Sequence, residues 1–284
     1  MPRLLDFSEL KYLRSRIANL ETELAFQKIV TINENKISSY FSDLNSLLLS
    51  PSQTDYSRNL KLCGGGSDGG YAISANSDFC KVWITAGLGS HIDFELELAA
   101  QGCFVLGADL NIGKFRRLGR NVVLKNQYWG KKDSHIELTL ESLVHAARIA
   151  DNIDWGLKFD IEGNEWDVLD QIQKLEFPPS FITCELHGLV PSHQNFETMG
   201  AKIEALSLLA RYYIPVFIKG NNYSAHIVFK DFSIYDVIEM SWVRKDKLEK
   251  FLISSSTDPA NLIFPNDSKK SLFKVGQITR NYPL

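Results

Sequence analysis

The chain has 284 residues, of which 44% are hydrophobic and 23% are charged, a composition typical of one main domain with an appendage. Its formal net charge of −3 offers no basic field, so we expect no nucleic-acid partner. No apolar run reaches the roughly 18 residues needed to cross a bilayer, so we expect no membrane span.

The four cysteines are scattered along the chain, without a C-x-x-C pair. Three of them adjoin or enter predicted strands, where a free thiol packs as a small hydrophobic group. They are Cys63, Cys80, Cys103 and Cys184. The pattern favours a reducing compartment, and we expect the protein to be cytoplasmic.

Residues 1–50 are predicted to form a helical, coiled-coil-like N-terminal arm, because no glycine or proline interrupts residues 7–49. Four apolar residues recur at spacings of four, three and four. This set, called the seam below, comprises Leu13, Ile17, Leu20 and Leu24. A second apolar set follows the polar residues 33–36 and comprises Ile37, Tyr40, Leu44 and Leu48. The spacing predicts two helices or one broken helix.

The arm needs a surface against which to bury its apolar stripe, because two heptads are too few for a stable isolated coiled coil. One interpretation is that the arm folds onto its own domain. The other is that it mediates self-association, which predicts a homo-oligomer formed through the arm.

A glycine-rich segment, KLCGGGSDGGYAIS, follows a polar linker at residues 50–59. Its backbone can approach a ligand closely, because glycine carries no side chain. The segment lacks the G-K-[ST] ending of a P-loop, which argues against a nucleoside triphosphate site. The alternative interpretation is a tight hairpin between two short strands.

The centre of the chain has the pattern of a strand, a glycine turn and a helix. The apolar residues 82–84 end in Ala86-Gly87-Leu88-Gly89-Ser90, and a helix is predicted from Asp93 to Gln101. A second strand at residues 103–107 is followed by Asp109. This arrangement predicts the nucleotide-binding half of a doubly wound sheet.

Gly87 and Gly89 let backbone amides approach a cofactor, and Asp109 is placed to accept the hydroxyls of its ribose. The third glycine of the dinucleotide fingerprint is missing, and an acidic residue in the first helical turn repels a pyrophosphate. We therefore favour S-adenosylmethionine over NAD. The remaining interpretation is a glycine turn that binds nothing.

Three more strands are predicted beyond Asp109, at residues 121–125, 155–159 and 181–184. Asp160 follows the second of these strands, and Glu185 follows the third. Ligands of open parallel sheets bind beyond the carboxyl ends of the strands, so we expect Gly87, Asp109, Asp160 and Glu185 to converge on one crevice.

The end of the domain is predicted to be a hairpin of two last strands, at residues 216–219 and 225–229. Such a closing hairpin is typical of the methyltransferase version of the sheet, whose last strand enters antiparallel. The predicted fold is α/β, a mostly parallel, seven-stranded, doubly wound sheet with a helical N-terminal appendage. Residues 251–284 are polar and are predicted to be a C-terminal tail.

The chain resembles the S-adenosylmethionine-dependent methyltransferases of the FkbM type over residues 60–250. The resemblance is carried, in the order of that family, by Ser67-Asp68-Gly69-Gly70-Tyr71, Ala86-Gly87-Leu88-Gly89 followed by Asp93-Phe94-Glu95, Asp109, Lys158-Phe159-Asp160-Ile161-Glu162-Gly163-Asn164-Glu165, Glu185-Leu186-His187, Gly220-Asn221-Asn222, and Trp242-Val243-Arg244-Lys245-Asp246. The D-x-E-G-x-E block is the most specific of these motifs. The fuller E-x-G-x-x-x-G turn of many methyltransferases is absent.

The resemblance implies O-methylation of a hydroxyl on a sugar, a polysaccharide or a small natural product, with S-adenosylmethionine as the methyl donor. It implies a cofactor site formed by Asp68, Gly69, Gly70, Gly87, Gly89, Asp109 and Asp160. No acidic residue follows the third strand to hold adenine. The candidates for that contact are Gln127, Tyr128 and Trp129.

A hydroxyl acceptor needs a base or a cation to help remove its proton. His187 is the candidate base. Asp160 and Glu185, with His187, are candidate ligands of Mg²⁺ or Mn²⁺. The alternatives are a histidine satisfied by hydrogen bonds at a strand end, and acids that fix the turn or hold the amine of the cofactor. The carboxylate of Glu165 is predicted to lie at the N-terminus of a helix, where it interacts favourably with the helix dipole.

Two other functions remain open from the sequence. One is a non-catalytic partner or scaffold protein that keeps the cofactor fold and assembles through the arm. The other is a nicotinamide-dependent reductase.

Overall fold

The computed structural model describes residues 7–48, 56, 59–65, 70–89, 91–112, 119–193, 195–221 and 223–253, with side chains from residue 13 onward. Asp68, Gly69, Asn222 and the predicted tail from residue 254 onward lie outside the described residues.

The described residues form seven α-helices: α1 (Phe7–Leu48), α2 (Asp93–Ala100), α3 (Leu140–Ala146), α4 (Glu165–Val168), α5 (Gln171–Lys174), α6 (Met199–Tyr212) and α7 (Leu248–Leu252). They also form thirteen strands: β1 (Leu60–Cys63), β2 (Tyr71–Ser74), β3 (Val82–Ala86), β4 (Phe104–Ala108), β5 (Val122–Lys125), β6 (Tyr128–Trp129), β7 (Glu137–Leu138), β8 (Trp155–Phe159), β9 (Phe181–Leu186), β10 (Tyr213–Gly220), β11 (His226–Phe229), β12 (Phe232–Tyr235) and β13 (Ile238–Arg244).

The main sheet has seven strands in the order β5-β4-β3-β8-β9-β13-β10. The first five are parallel, whereas β13 runs antiparallel to both of its neighbours. Every residue of β8 and β9 is buried, as expected of central strands that are covered on both faces. The predicted fold class is confirmed: this is a doubly wound, Rossmann-like sheet of the methyltransferase type.

Apolar side chains cover both faces of the sheet. Successive residues of β3 point to opposite faces, so Trp83 joins the cluster that contains Phe94 and Phe251, whereas Ile84 joins the larger cluster. The second half of α1 belongs to that larger cluster. The sheet is therefore covered on both faces, and its carboxyl edge carries the loops described below.

The prediction of the last strand was wrong in its position. Residues 226–229 do not enter the main sheet, because the chain turns back at Lys230, which has a φ of 53°, and pairs with β12 as a separate hairpin. The strand inserted beside β9 is β13 instead, with Glu239 opposite Glu185. The glycine-rich segment joins two strands that pair antiparallel, β1 and β2, as the hairpin interpretation predicts, although the seven residues between them are more than a tight turn needs.

The N-terminal helix α1 has 42 residues and is broken at Asn33, whose φ of −134° and ψ of 33° are not helical. Its two halves differ in environment. The second apolar set, from Ile37 to Leu48, is buried in the main core, and Tyr40 Oη donates a hydrogen bond to the carbonyl oxygen of Leu189 at 3.0 Å. The seam on the first half remains exposed.

The four cysteines are buried and unbonded to one another. Among the described helices, none combines the length and the apolar character that crossing a membrane requires.

Candidate functional site

The carboxyl ends of three neighbouring strands form the candidate site. Strand β8 lies between β3 and β9, with Phe159 opposite both Ala86 and Cys184. Because the three strands are parallel, the residues that follow them meet at one edge. Asp160, which follows β8, and Glu185, the next-to-last residue of β9, are thereby brought side by side, next to the glycine turn after β3.

His187 lies at the centre of a group of carboxylates, called the His187 cluster below. Its Nε2 is 3.4 Å from Glu185 Oε2, 3.7 Å from Glu162 Oε2 and 4.0 Å from Asp160 Oδ1. Its Nδ1 is 2.9 Å from Glu165 Oε1. The cluster therefore consists of one imidazole and four carboxylates, from Asp160, Glu162, Glu165, Glu185 and His187.

Glu165 fixes the orientation of His187, a role that the sequence did not predict. Its side chain is fully buried, and Oε1 accepts hydrogen bonds from the backbone N–H groups of Ile161 and Gly163 at 3.1 and 3.2 Å. Since a carboxylate only accepts, Nδ1 of His187 donates to Glu165 and the ring presents Nε2 to the other acids. The indole of Trp166 also donates to the carbonyl oxygen of His187, at 2.7 Å.

The ionisation of the cluster reflects its surplus of negative charge. Burial lowers the pKa of His187, but the hydrogen bond and charge of Glu165, with the charges of Glu185 and Asp160, outweigh burial and raise that pKa. Burial raises the pKa of Glu185, and the charges of Asp160 and Glu239 raise it further. The cluster is thus stabilised by added positive charge.

Asp160, Glu185 and His187 can each offer one ligand atom, and these atoms lie within 4.8 Å of one another. Among the described residues, Asp160 Oδ1 is a buried oxygen without a hydrogen-bond partner. Two carboxylates suit Mg²⁺ or Mn²⁺, and an imidazole beside them suits Mn²⁺ better than Mg²⁺. The three residues therefore fit a metal ion chemically.

The glycine turn is shaped by its contact with the strand end of β8. Gly87 has a φ of 71°, and a Cβ added there would lie 1.5 Å from the carbonyl oxygen of Asp160. Gly89 has a φ of 57° and open space around its missing Cβ. Gly87 thus serves the close packing of two loops, while Gly89 leaves room for a ligand.

Asp109 lies across the glycine turn, as predicted, and its carboxylate holds that turn. Its Oδ2 accepts from the backbone N–H groups of Leu88 and Gly89 at 2.9 and 3.3 Å, and its Oδ1 accepts from the N–H of Asn111 at 2.7 Å. Oδ2 already accepts twice, so the remaining capacity for a ligand hydroxyl is the second lone pair of Oδ1.

Lys158 and Tyr71 connect the turn to the cluster, and the sequence did not predict their roles. The ammonium of Lys158 donates to the carbonyl oxygen of Gly87 at 2.6 Å and lies 4.9 Å from the centre of the Tyr71 ring. The hydroxyl of Tyr71 donates to Asp160 Oδ2 at 2.9 Å. The signal in the sequence was that both residues belong to the quoted motifs.

Other predicted site residues lie in different surroundings. Trp129 is 2% exposed, and its Nε1 donates to Gln171 Oε1, so its ring belongs to the core and offers no free face to adenine. Tyr128 beside it is 37% exposed. Gly70 packs tightly, since an added Cβ would lie 2.7 Å from the carbonyl oxygen of Gly65. Asn221 donates to Glu185 Oε1 at 2.9 Å.

Comparisons with known proteins leave the family open. No protein-family model matches the chain, and no curated protein is similar to it in sequence. The chain is similar to a solved fibrillarin/Nop5p complex, with a TM-score of 0.37, 12% identity, and coverage of 60% of this chain and 74% of the other.

It is also similar to the Methanococcus jannaschii fibrillarin pre-rRNA processing protein, with a TM-score of 0.36, 9% identity, and coverage of 59% of this chain and 67% of the other. It is similar as well to a putative rRNA-methylase from Clostridium thermocellum, with a TM-score of 0.35, 14% identity, and coverage of 59% of this chain and 92% of the other. Similarities this weak carry no argument, so the fold assignment rests on the sheet topology.

Proposed function

We propose that the protein is an S-adenosylmethionine-dependent O-methyltransferase that acts on a hydroxyl of a sugar, a polysaccharide or a small natural product. The observation that carries the proposal is the His187 cluster at the carboxyl ends of β8 and β9, beside a glycine turn with room for a ligand. The antiparallel β13 in the main sheet supports the same conclusion.

On the cofactor side, the glycine turn and Asp109 have the shape and charge for S-adenosylmethionine. The Cβ position of Gly89 has no neighbour within 4 Å, and Asp109 at the end of β4 keeps a lone pair on Oδ1 for a ribose hydroxyl. The surplus negative charge of the His187 cluster also suits a sulfonium cation in a partly buried site. These carboxylates would repel the pyrophosphate of NAD, which favours S-adenosylmethionine over NAD.

On the acceptor side, Asp160, Glu185 and His187 would hold Mg²⁺ or Mn²⁺, which would supply Lewis-acid chemistry that lowers the pKa of the acceptor hydroxyl. Glu165 fixes the imidazole by accepting from Nδ1, the arrangement that metal-binding histidines commonly have. The amide of Asn221 orients the carboxylate of Glu185.

His187 acting alone as a general base is the alternative. Several carboxylates around one imidazole favour its protonated form. A protonated imidazole can neither accept the proton of a hydroxyl nor bind a metal ion, but a divalent cation that displaces this proton supplies more positive charge to the carboxylates than the proton does. We therefore favour a shared site in which His187 is a ligand of the metal ion, with Asp160 and Glu185 as the other ligands.

Thermal unfolding with added cofactors tests the proposal. S-adenosylmethionine or its demethylated product at ~100 times its dissociation constant should stabilise the protein by about 2.7 kcal/mol, and NAD should not. Asp109→Ala should lose most of this shift. Stabilisation by NAD alone would favour the reductase, and no response to any cofactor would favour the non-catalytic scaffold.

Binding of Mn²⁺, followed by electron paramagnetic resonance, tests the metal separately. The protein should bind Mn²⁺, and Glu185→Gln should weaken binding, whereas Glu197→Gln, which changes an exposed acid outside the cluster, should not. Methylation that is unaffected by EDTA and falls as the pH is lowered would favour His187 as a base.

A further inference from the structure

The seam of α1 is exposed along its whole length. The side chains of Leu13, Ile17, Leu20 and Leu24 are 42%, 56%, 47% and 62% exposed. Single exposed leucines are ordinary on protein surfaces, but a continuous aliphatic row marks an interaction surface.

The opposite face of the same helical segment binds the domain. Ser15 Oγ and Asn19 Nδ2 donate to the carbonyl oxygen of Tyr223 at 2.9 and 3.2 Å, and Phe26 and Ile29 are almost fully buried. Because each residue turns an α-helix by about 100°, these side chains lie on the far side of the helix from the seam. The described part of the domain therefore cannot cover the seam.

The charges that flank the seam are complementary to themselves. In the heptad register of the seam, Arg16 and Glu23 occupy g positions, and Arg14, Glu21 and Lys28 occupy e positions. A parallel pair of helices brings g beside e of the next heptad, so Arg16 meets Glu21. The same pairing brings Glu23 beside Lys28.

An antiparallel pair of helices brings g beside g and e beside e. With the two seams fully overlapping, Arg16 then meets Glu23 of the other copy, and Arg14 meets Glu21. Opposite charges therefore meet in either orientation. A partner surface of a single charge sign would be repelled by two or three of these five charged residues.

We propose that the seam binds the seam of a second copy of this chain, which forms a short two-helix coiled coil with the two domains on opposite sides. The contact is small, with four aliphatic side chains from each copy. We therefore expect a reversible dimer whose population depends on protein concentration.

Sedimentation velocity of the full-length chain over a wide concentration range tests the proposal. The sedimentation coefficient should rise from that of a monomer to that of a dimer. Leu20→Lys should weaken the dimer at least ~10-fold, because it puts a charge at the centre of the buried seam. Ile32→Lys is the matched control, since Ile32 is 73% exposed but lies about 90° around the helix from the seam.

Charge exchange identifies the partner and the orientation. Arg16→Glu and Glu21→Arg should each weaken self-association, and their equimolar mixture should restore it if the helices are parallel. For antiparallel helices, the mixture of Arg16→Glu with Glu23→Arg should restore association instead. The seam is exposed in the monomer, so circular dichroism should report an unchanged fold for every variant.

Three outcomes would overturn the proposal: a monomer at every concentration, a dimer that Leu20→Lys does not weaken, or single charge variants that neither mixture restores. A dimer that uses another surface would give the second result. Cofactor binding by the monomeric variants should be unchanged, so this test is independent of the proposed enzymatic function.

Discussion

Two aspartates flank strand β8, one at each end, and their surroundings are opposite. Asp154 precedes the strand and is paired with Lys247 at 2.9 Å, with Lys250, and with the hydroxyl of Ser180 at 2.7 Å. Burial alone would raise the pKa of Asp154, but these partners outweigh burial and lower the pKa to about 2. Asp160 follows the strand and faces other carboxylates across the ring of His187.

The difference separates a structural acid from a functional one. Asp154 is surrounded by donors and contributes to folding, because its charge is compensated in the native state. Asp160 belongs to a group whose negative charges exceed their positive partners, which costs stability unless a cation binds. An excess of negative charge at the carboxyl end of the sheet therefore indicates the site better than the presence of an aspartate alone does.

The largest expected effect on stability is that of Gly87→Ala, which puts a methyl group where the glycine turn packs against the backbone of Asp160. The new Cβ would lie 1.5 Å from a backbone oxygen, so one of the two loops must move. We expect a loss of more than ~4 kcal/mol of unfolding free energy, measured by chemical denaturation. Gly89→Ala is the control, and its positive φ in open space should cost only about 1 to 2 kcal/mol.

Catalysis should depend on the end of β8 that carries Asp160. Alanine at Asp160, Glu185 or His187 should each lower methyl transfer by ~100-fold or more, the scale of losing a group that assists proton removal. Turnover should be measured with the natural acceptor, and isothermal titration should show that Glu185→Ala and His187→Ala still bind S-adenosylmethionine. Parent rates in both variants would exclude the end of β9 from catalysis.

Glu185→Gln should raise stability while it lowers metal binding. The substitution removes one charge from a crowded, buried group and keeps a partner for Asn221. We expect a gain of about 1 to 2 kcal/mol at pH 7 without added metal ions, because like-charge repulsion and the burial of a charge are relieved. A loss of stability in a thermal denaturation experiment would contradict the conclusion that the His187 cluster has an excess of negative charge.

Asp154→Asn should lower stability, whereas Glu185→Gln should raise it, and its effect should be the smallest of those predicted. The folded-state pKa of about 2 lies below the unfolded value of about 3.9, so the carboxylate stabilises the fold above pH ~4. This contribution is lost as the pH falls through about 2. We expect a loss of about 1 kcal/mol at pH 7, because solvent screens the two lysines. The variant and the parent should converge in stability near pH 2.

The elements that could be predicted from sequence were those with a strong local pattern. Residues 155–159 have the predicted bounds in the structure, because a short segment that is apolar apart from Lys158, between polar residues, is typical of a buried strand. Asp160 and Glu185 could be placed near one another, since the geometry of parallel strands fixes where their ends lie.

The parts that could not be predicted depend on contacts between distant residues. The hydrogen bond from His187 to Glu165 joins residues 22 positions apart, and no local pattern encodes it. The closing strand was misplaced because residues 226–229 and 238–244 both contain apolar residues typical of strands, and only tertiary packing selects the second segment. The two halves of α1 have similar spacing, so spacing alone could not say which half the domain buries.

The position of β13 has a consequence for synthesis of the protein. This strand lies between β9 and β10 in the sheet, although it is made after both of them. During translation, one edge of β9 stays unpaired until residue 244 has left the ribosome. Until then β10 also has no neighbour in the main sheet. An exposed edge of this kind is prone to wrong pairing, so shortened chains that end before β13 should aggregate rather than fold.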